Sequence, residues 1–150
     1  MIFRKAVKED VPAIVEMLAN DFLGKTRERF EMPLPSSYYD FFYRIDADSN
    51  QELTVLELDG EIIGTMQLTF IPNLTYCGSM RMMIESVRVK DTMTGKGIGT
   101  KMMEYAIERA KKKKCRIVQL TTDKQRKDAH RFYEKLGFKA THEGMKLHLE

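Results

Sequence analysis

The sequence predicts an α+β domain over residues 1–150, with a mixed, mostly antiparallel sheet of about seven strands and about four flanking helices. Three observations carry this prediction. Two apolar-rich runs, Glu52 to Leu58 and Glu61 to Ile71, flank Asp59-Gly60, a dipeptide that tolerates positive φ at both positions and so marks a tight hairpin. A strand ending near Val89 meets a glycine-rich turn, Thr94 to Gly99, from which a helix starts at about Ile98. A second helix, Lys127 to Leu136, is stopped by Gly137 and followed by short alternating runs.

The remaining elements follow in order. Ile2 to Val7 alternates apolar and polar residues and predicts the first strand. A helix is expected from about Asp10, with Pro12 tolerated in its first turn. Val11, Ile14, Val15, Leu18 and Phe22 give it an apolar stripe. Residues 24–37 form a connection that Pro33 and Pro35 close, and Tyr38 to Ile45 predicts a short helix. Seven of the fourteen aromatic residues lie between Phe22 and Tyr43, which suits either a core or one wall of a substrate pocket. Pro72 to Ser79 is expected as a loop and Arg81 to Val89 as the next strand. The helix from Ile98 to Lys112 places Ile98, Met102, Ala106 and Ala110 on one face. Ile117 to Thr122 is expected to run parallel to the Arg81–Val89 strand through a right-handed crossover. Phe138 to Thr141 and Met145 to Leu149 are expected to close the sheet as a hairpin across Glu143-Gly144.

Apolar residues at 43% and charged residues at 31% are ordinary for a globular chain that buries a core. No apolar run is long enough for a membrane span, and the first residues lack the pattern of a signal peptide. Cys77 and Cys115 form no metal or redox motif, no metal site is expected, and a cytoplasmic location with reduced thiols follows. The net charge of +3 is uneven, with a balance of +9 from Lys96 to Lys139 and −6 elsewhere. That asymmetry suits an anionic ligand, and a multiply charged small molecule fits it better than nucleic acid. The Lys111–Lys114 run reads most simply as a solvated helix end.

A glycine-rich turn that opens a helix offers unpaired N–H groups to an anion. A Walker loop is excluded because the order is Gly99-Thr100-Lys101. A dinucleotide fingerprint is excluded because Thr100 and Met102 stand where it needs glycine. The stretch TGKGIG resembles the acetyl-CoA loop of the GCN5-related N-acetyltransferases, Gln/Arg-x-x-Gly-x-Gly/Ala, through Gly97 and Gly99. Thr94 departs from the Gln or Arg of that pattern. The segment AHRFYEKLGFK resembles the closing motif of the same family through Ala129, Tyr133, Gly137 and Phe138. Arg126 departs from the Asn that usually precedes that alanine. The run KQRKDAHRFYEK is also similar to small-molecule amine acetyltransferases, including the aminoalkylphosphonate ones.

The resemblance implies acetyl transfer from acetyl-CoA, as acyl-donor co-substrate, to a primary amine by direct attack on the thioester. It implies that the backbone of Ser86, Val87, Arg88 and Val89 binds the pantetheine arm. The amides of Thr94, Gly95, Lys96, Gly97, Ile98, Gly99 and Thr100 would bind the pyrophosphate. Arg126, Ala129, Phe132 and Tyr133 would complete the cofactor site. Tyr133 is the candidate acid for the leaving thiolate. Glu85, in an otherwise apolar run, is the candidate base, with a raised pKa if buried. His130 is a rival base, whereas His142 and His148 are expected to be structural. A small-molecule amine acceptor is expected, without nucleic acid or membrane, and a homodimer through the last strands is a family-level expectation. The alternatives are acetylation of a protein lysine or N-terminus, and a non-catalytic acyl-CoA-binding interaction module.

Overall fold

The computed structural model describes all 150 residues. The elements in order are β1 (Ile2–Lys5), α1 (Val11–Ala19), α2 (Ser36–Asp46), β2 (Gln51–Leu58), β3 (Glu61–Asn73), α3 (Thr75–Gly78), β4 (Ser79–Val89), α4 (Ile98–Lys112), β5 (Cys115–Leu120) and α5 (Lys127–Lys135). α3 is a single turn, in which Tyr76 and Cys77 are left-handed at φ 54° and 63°. The chain divides into two compact units, Met1–Gln119 and Leu120–Glu150. No helix is long and apolar enough to cross a membrane.

Five strands form one sheet in the order β1-β2-β3-β4-β5, and the first four make an antiparallel meander. The Asp59-Gly60 turn is as predicted, with φ of 50° and 79° at its two central residues. Pro72 corrects the expected boundary, because it lies inside β3, opposite Met80. β2 pairs with β3 only as far as Thr69, so at Pro72 the strand has a partner on one side alone. A residue without an N–H is tolerated where one edge is open.

The expected terminal hairpin is a second correction, since residues 138–150 form no strand and the sheet has five strands, not about seven. Met145, Leu147 and Leu149 alternate as a strand would, yet they are at least 84% exposed. Alternation alone does not make a strand, because the backbone still needs a neighbour to bond. Phe22 lies beyond the end of α1 and is exposed, so it leaves the stripe assigned to that helix.

One face of the sheet carries α1 and α2 over a core that includes Ala6, Ile14, Val15, Phe42 and Val55. The opposite face carries α4, whose Ile98, Met102, Ala106 and Ala110 are all buried, as the stripe predicted. Gly64 lets this helix close on the sheet, since a Cβ there would stand 2.8 Å from Met102 Sδ. Arg109 of α4 then donates two hydrogen bonds, of 2.9 and 2.6 Å, to the buried carboxylate of Glu52 on β2.

Asp10 ties β1 to the start of α1. Its carboxylate accepts hydrogen bonds from Arg4 at 2.7 and 3.0 Å and from the Val7 N–H at 2.8 Å. Burial pushes its pKa up, but Arg4 and the Val7 amide outweigh that, and the net direction is downward. A depressed carboxylate contributes its stability above the unfolded pKa of about 3.9 and loses it as pH falls through the folded value. Asp10→Asn is therefore expected to cost about 1–3 kcal/mol at pH 7. The gap between variant and wild type should narrow below about pH 4. Urea unfolding at pH 7 and pH 3 measures both, and equal stability at pH 7 would contradict the assignment.

Candidate active site

β4 is interrupted where it meets β3. Gln67 pairs with Glu85 and Thr65 with Arg88, so two residues of β4, Ser86 and Val87, stand opposite Met66 alone. This is a β-bulge, and Ser86 takes φ of 55° within it. A serine at positive φ is strained, and such strain concentrates at functional positions. The bulge shifts the strand's alternation by one. Met82 and Ile84 share the face of Phe70 and Leu68, while beyond the bulge Val89 is opposite Gly64 and Arg88 is opposite Thr65. Arg88 thereby reaches Asp21, 3.6 Å away, with both side chains largely buried.

After β4 the chain makes a 3-10 turn at Asp91–Met93 and enters the glycine-rich loop. Gly95 and Gly97 both have φ of 76°, and a Cβ added at either would meet nothing within 4 Å. The left-handed backbone, and no packing constraint, is what calls for glycine here. Gly97 caps α4, which starts at Ile98 as predicted, and the Lys101 N–H already bonds the Gly97 carbonyl at 3.2 Å. Gly99 lies inside the first helical turn. The Thr94 hydroxyl donates back to the Asp91 carbonyl at 2.9 Å, so this residue braces the loop. Lys96 is exposed.

A cavity of about 400 Å³ opens between α1, α2 and the sheet. Small-molecule sites occupy roughly 300–1,000 Å³. Ile14 and Leu18 line it from α1. Tyr38, Phe41 and Phe42, spaced to share one face of α2, form an aromatic wall. Thr65 and Gln67 of β3 and Ser86 of the bulge form the floor. Glu85 is opposite Gln67 in the ladder, so it stands on the same face of the sheet as the cavity. Glu85 is exposed, so the burial attached to its expected role is not met.

In the C-terminal unit, Arg126 precedes α5, and Ala129 and Tyr133 fall one turn apart on that helix. The Tyr133 ring makes edge contacts with Phe132 at 5.2 Å and Phe138 at 6.0 Å. His130 Nε2 lies 2.6 Å from Glu134 Oε1, which gives the rival histidine a structural partner.

The model of the acetyltransferase (GNAT) family matches residues 14–138. The chain belongs to the GNAT family. A Salmonella typhimurium aminoalkylphosphonate N-acetyltransferase is 30% identical over 95 residues, covering 63% of this chain and 61% of that protein. The chain spans about three fifths of the length of the curated relatives it matches. A solved structure from Bacillus halodurans, named as a transcriptional regulator, superposes with a TM-score of 0.96 at 53% identity over 99% of both chains. A candidate acetyltransferase from Agrobacterium tumefaciens superposes at 0.86, with 25% identity and 99% of both chains covered.

Within this GNAT chain, sequence reasoning found the glycine loop, the start of α4 and the α5 motif. It missed the left-handed Ser86, the floor residues Thr65 and Gln67, and the contribution of α1 to the cavity. A signal for the bulge was present. Within the run that also holds Met83, the apolar positions 82 and 84 give way to 87 and 89, a change of phase that an extra residue in the strand accommodates.

The left-handed cap makes a specific demand at Gly97. Gly97→Val is expected to cost about 1–2 kcal/mol in stability. Gly60, which is equally left-handed in the hairpin, provides the matched control as Gly60→Val. Thermal unfolding of the two variants checks this, and an unchanged Gly97→Val midpoint would contradict the cap assignment.

Proposed function

We propose that the protein transfers an acetyl group from acetyl-CoA to a primary amine of a small molecule by direct attack on the thioester. The single observation that carries this reading is the Ser86–Val87 bulge at the floor of the 400 Å³ cavity. It sets two residues of β4 opposite one of β3 at the place where an acceptor in that cavity would end. The backbone of Ser86 to Val89, on its edge away from β3, then binds the pantetheine amides as an added strand would. The amides from Thr94 to Thr100, at the positive end of a 15-residue helix, suit the pyrophosphate. The left-handed glycines with open space around them fit that role.

The chemistry asks for three events. The amine nitrogen attacks once neutral, although an alkylamine has a pKa near 10. Glu85 takes that proton through water, a role supported by its place on the cavity face of the sheet. The carbonyl carbon–nitrogen bond forms while the oxygen gains charge, and a backbone N–H near Val87 stabilises that oxyanion. The carbon–sulfur bond then breaks, the leaving thiolate takes a proton from the Tyr133 phenol, and the proton shed by the new amide nitrogen restores that phenol. The Tyr133 assignment rests on the Ala129–Tyr133 motif of the α5 helix.

The transcriptional-regulator name of the Bacillus halodurans relative raises a second reading, nucleic-acid binding. The exposed Lys111–Lys114 run is its best support. Those lysines sit at the C-terminal end of α4, where the helix dipole favours cations without any ligand, and Lys111 pairs with Glu108 at 3.0 Å. The acetyltransfer reading accounts for the loop, the bulge and the cavity together, and nucleic-acid binding accounts for none of them.

Acetyl-CoA at about 100 times its dissociation constant is expected to stabilise the protein by roughly 2.7 kcal/mol. The melting temperature should rise accordingly, with ATP and NAD as inactive controls. Tyr133→Phe should lower kcat about 10²–10⁴-fold, in the range of lost acid catalysis. The same variant should keep acetyl-CoA affinity nearly unchanged. Equal turnover in variant and wild type would remove Tyr133 from the mechanism.

A further inference from the structure

We infer that the acceptor is a primary amine on an uncharged, apolar body, with an arylalkylamine as the matching chemistry, because the cavity beside the Ser86 bulge has no charged lining. The inference rests on the acetyltransfer reading of this site and adds its substrate class. It departs from what the name of the Salmonella relative suggests.

None of the fourteen lining residues is Asp, Glu, Lys, Arg or His, and nine of them are Val, Ile, Leu, Met or Phe. The polar groups that do line it are largely satisfied by the protein itself. The Tyr38 hydroxyl donates to Glu28 at 2.9 Å and accepts from the Arg29 N–H at 3.0 Å. The Thr65 hydroxyl donates to the Thr54 carbonyl at 3.1 Å. The Gln67 amide nitrogen donates to Gln51 Oε1 at 2.8 Å. What faces a ligand is therefore mostly hydrocarbon and ring surface. Ser37, Ser86 and the Gln67 carbonyl oxygen are the polar exceptions, enough to hold an amine end.

This lining decides between substrate classes. A phosphonate or phosphate placed here would lose its hydration with no Arg or Lys among the lining residues to replace it, since the Arg44 guanidinium lies over the Phe41 ring at the mouth, 4.7 Å from its centroid. Arg88, the nearby cation on β4, is paired with Asp21. A polyamine would lose the hydration of its distal ammonium groups with no carboxylate among the lining residues. An apolar body loses only unfavourable contact with water, and the aromatic wall of α2 adds ring contacts. Phe41 is lined up with that wall yet 55% exposed, which places it where the cavity meets solvent.

The test compares four amines in a CoA-release assay: phenethylamine, 2-aminoethylphosphonate, ethylamine and spermidine. The first three share the same two-carbon amine and differ in what it carries. Phenethylamine is expected to exceed ethylamine by about 100-fold in kcat/KM, since a buried ring supplies that much and more. It should exceed the phosphonate and spermidine by at least as much. Phe41→Ala is expected to lower kcat/KM for phenethylamine about 10-fold, mainly through KM, and to leave the KM for acetyl-CoA unchanged. Preference for the phosphonate or spermidine, or no advantage over ethylamine, would overturn the substrate class while acetyl-CoA still raised the melting temperature. If acetyl-CoA did not bind, the acetyltransfer reading would fall by itself. The pocket would then be judged by phenethylamine binding to the protein alone, read by NMR. Binding weakened by Phe41→Ala upholds the apolar site, and absence of binding overturns it.

Discussion

The one constraint on which the site depends is the extra residue in β4. Between the pairs Gln67–Glu85 and Thr65–Arg88 the strand holds two residues where its partner holds one. Everything beyond that point is turned over. Arg88 lands on the cavity face and reaches Asp21, while Val89 lands opposite Gly64, on the face that α4 covers. A regular strand would have put the arginine under the helix and left the valine facing the cavity. The same extra residue sets Ser86 and Val87 together opposite Met66, at the edge of the apolar cavity.

The scaffold around the bulge is built from ordinary burial. Fully buried Leu56, Met66, Leu68 and Met82 hold the central strands in register. The Gly64 notch and the Glu52–Arg109 pair fix α4 against them. Burying and pairing Glu52 costs desolvation that the two short hydrogen bonds offset only with good geometry. Its value lies in orientation, because the N-terminus of α4 follows directly from the glycine loop. One helix thus connects a structural ion pair near its end to the left-handed glycine loop at its start.

Much of this was legible in the residues. Asp59-Gly60, the α1 stripe as far as Leu18, the α4 stripe, the start of α4 at Ile98 and the end of α5 at Gly137 are local chemistry, and local chemistry is written in neighbouring residues. What was not read is long-range. Pro72 continues a strand because β2 has already ended beside it. Residues 145–149 alternate correctly but have no strand to bond. The aromatic cluster near Phe22–Tyr43 did announce a pocket wall or a core, and it supplies both: Phe42 is buried in the core and lines the cavity, while Phe41 is half exposed beside it. Which of these rings would face a ligand is decided by where α2 lies on the sheet, and no local pattern encodes that. Thr94 shows the limit of motif reading. It replaces a longer residue of the family pattern, and its hydroxyl turns inward to Asp91.

In the proposed acetyl transfer, the β4 bulge and the α4 N-terminus act together as one acyl-donor site facing an apolar acceptor cavity. Backbone amide NMR during an acetyl-CoA titration tests it most directly. The Ser86–Val89 amides and the Gly95–Thr100 amides are expected to shift together, with a single dissociation constant. Shifts confined to the exposed lysines at 111–114, or perturbation of the glycine loop with the bulge unmoved, would contradict it.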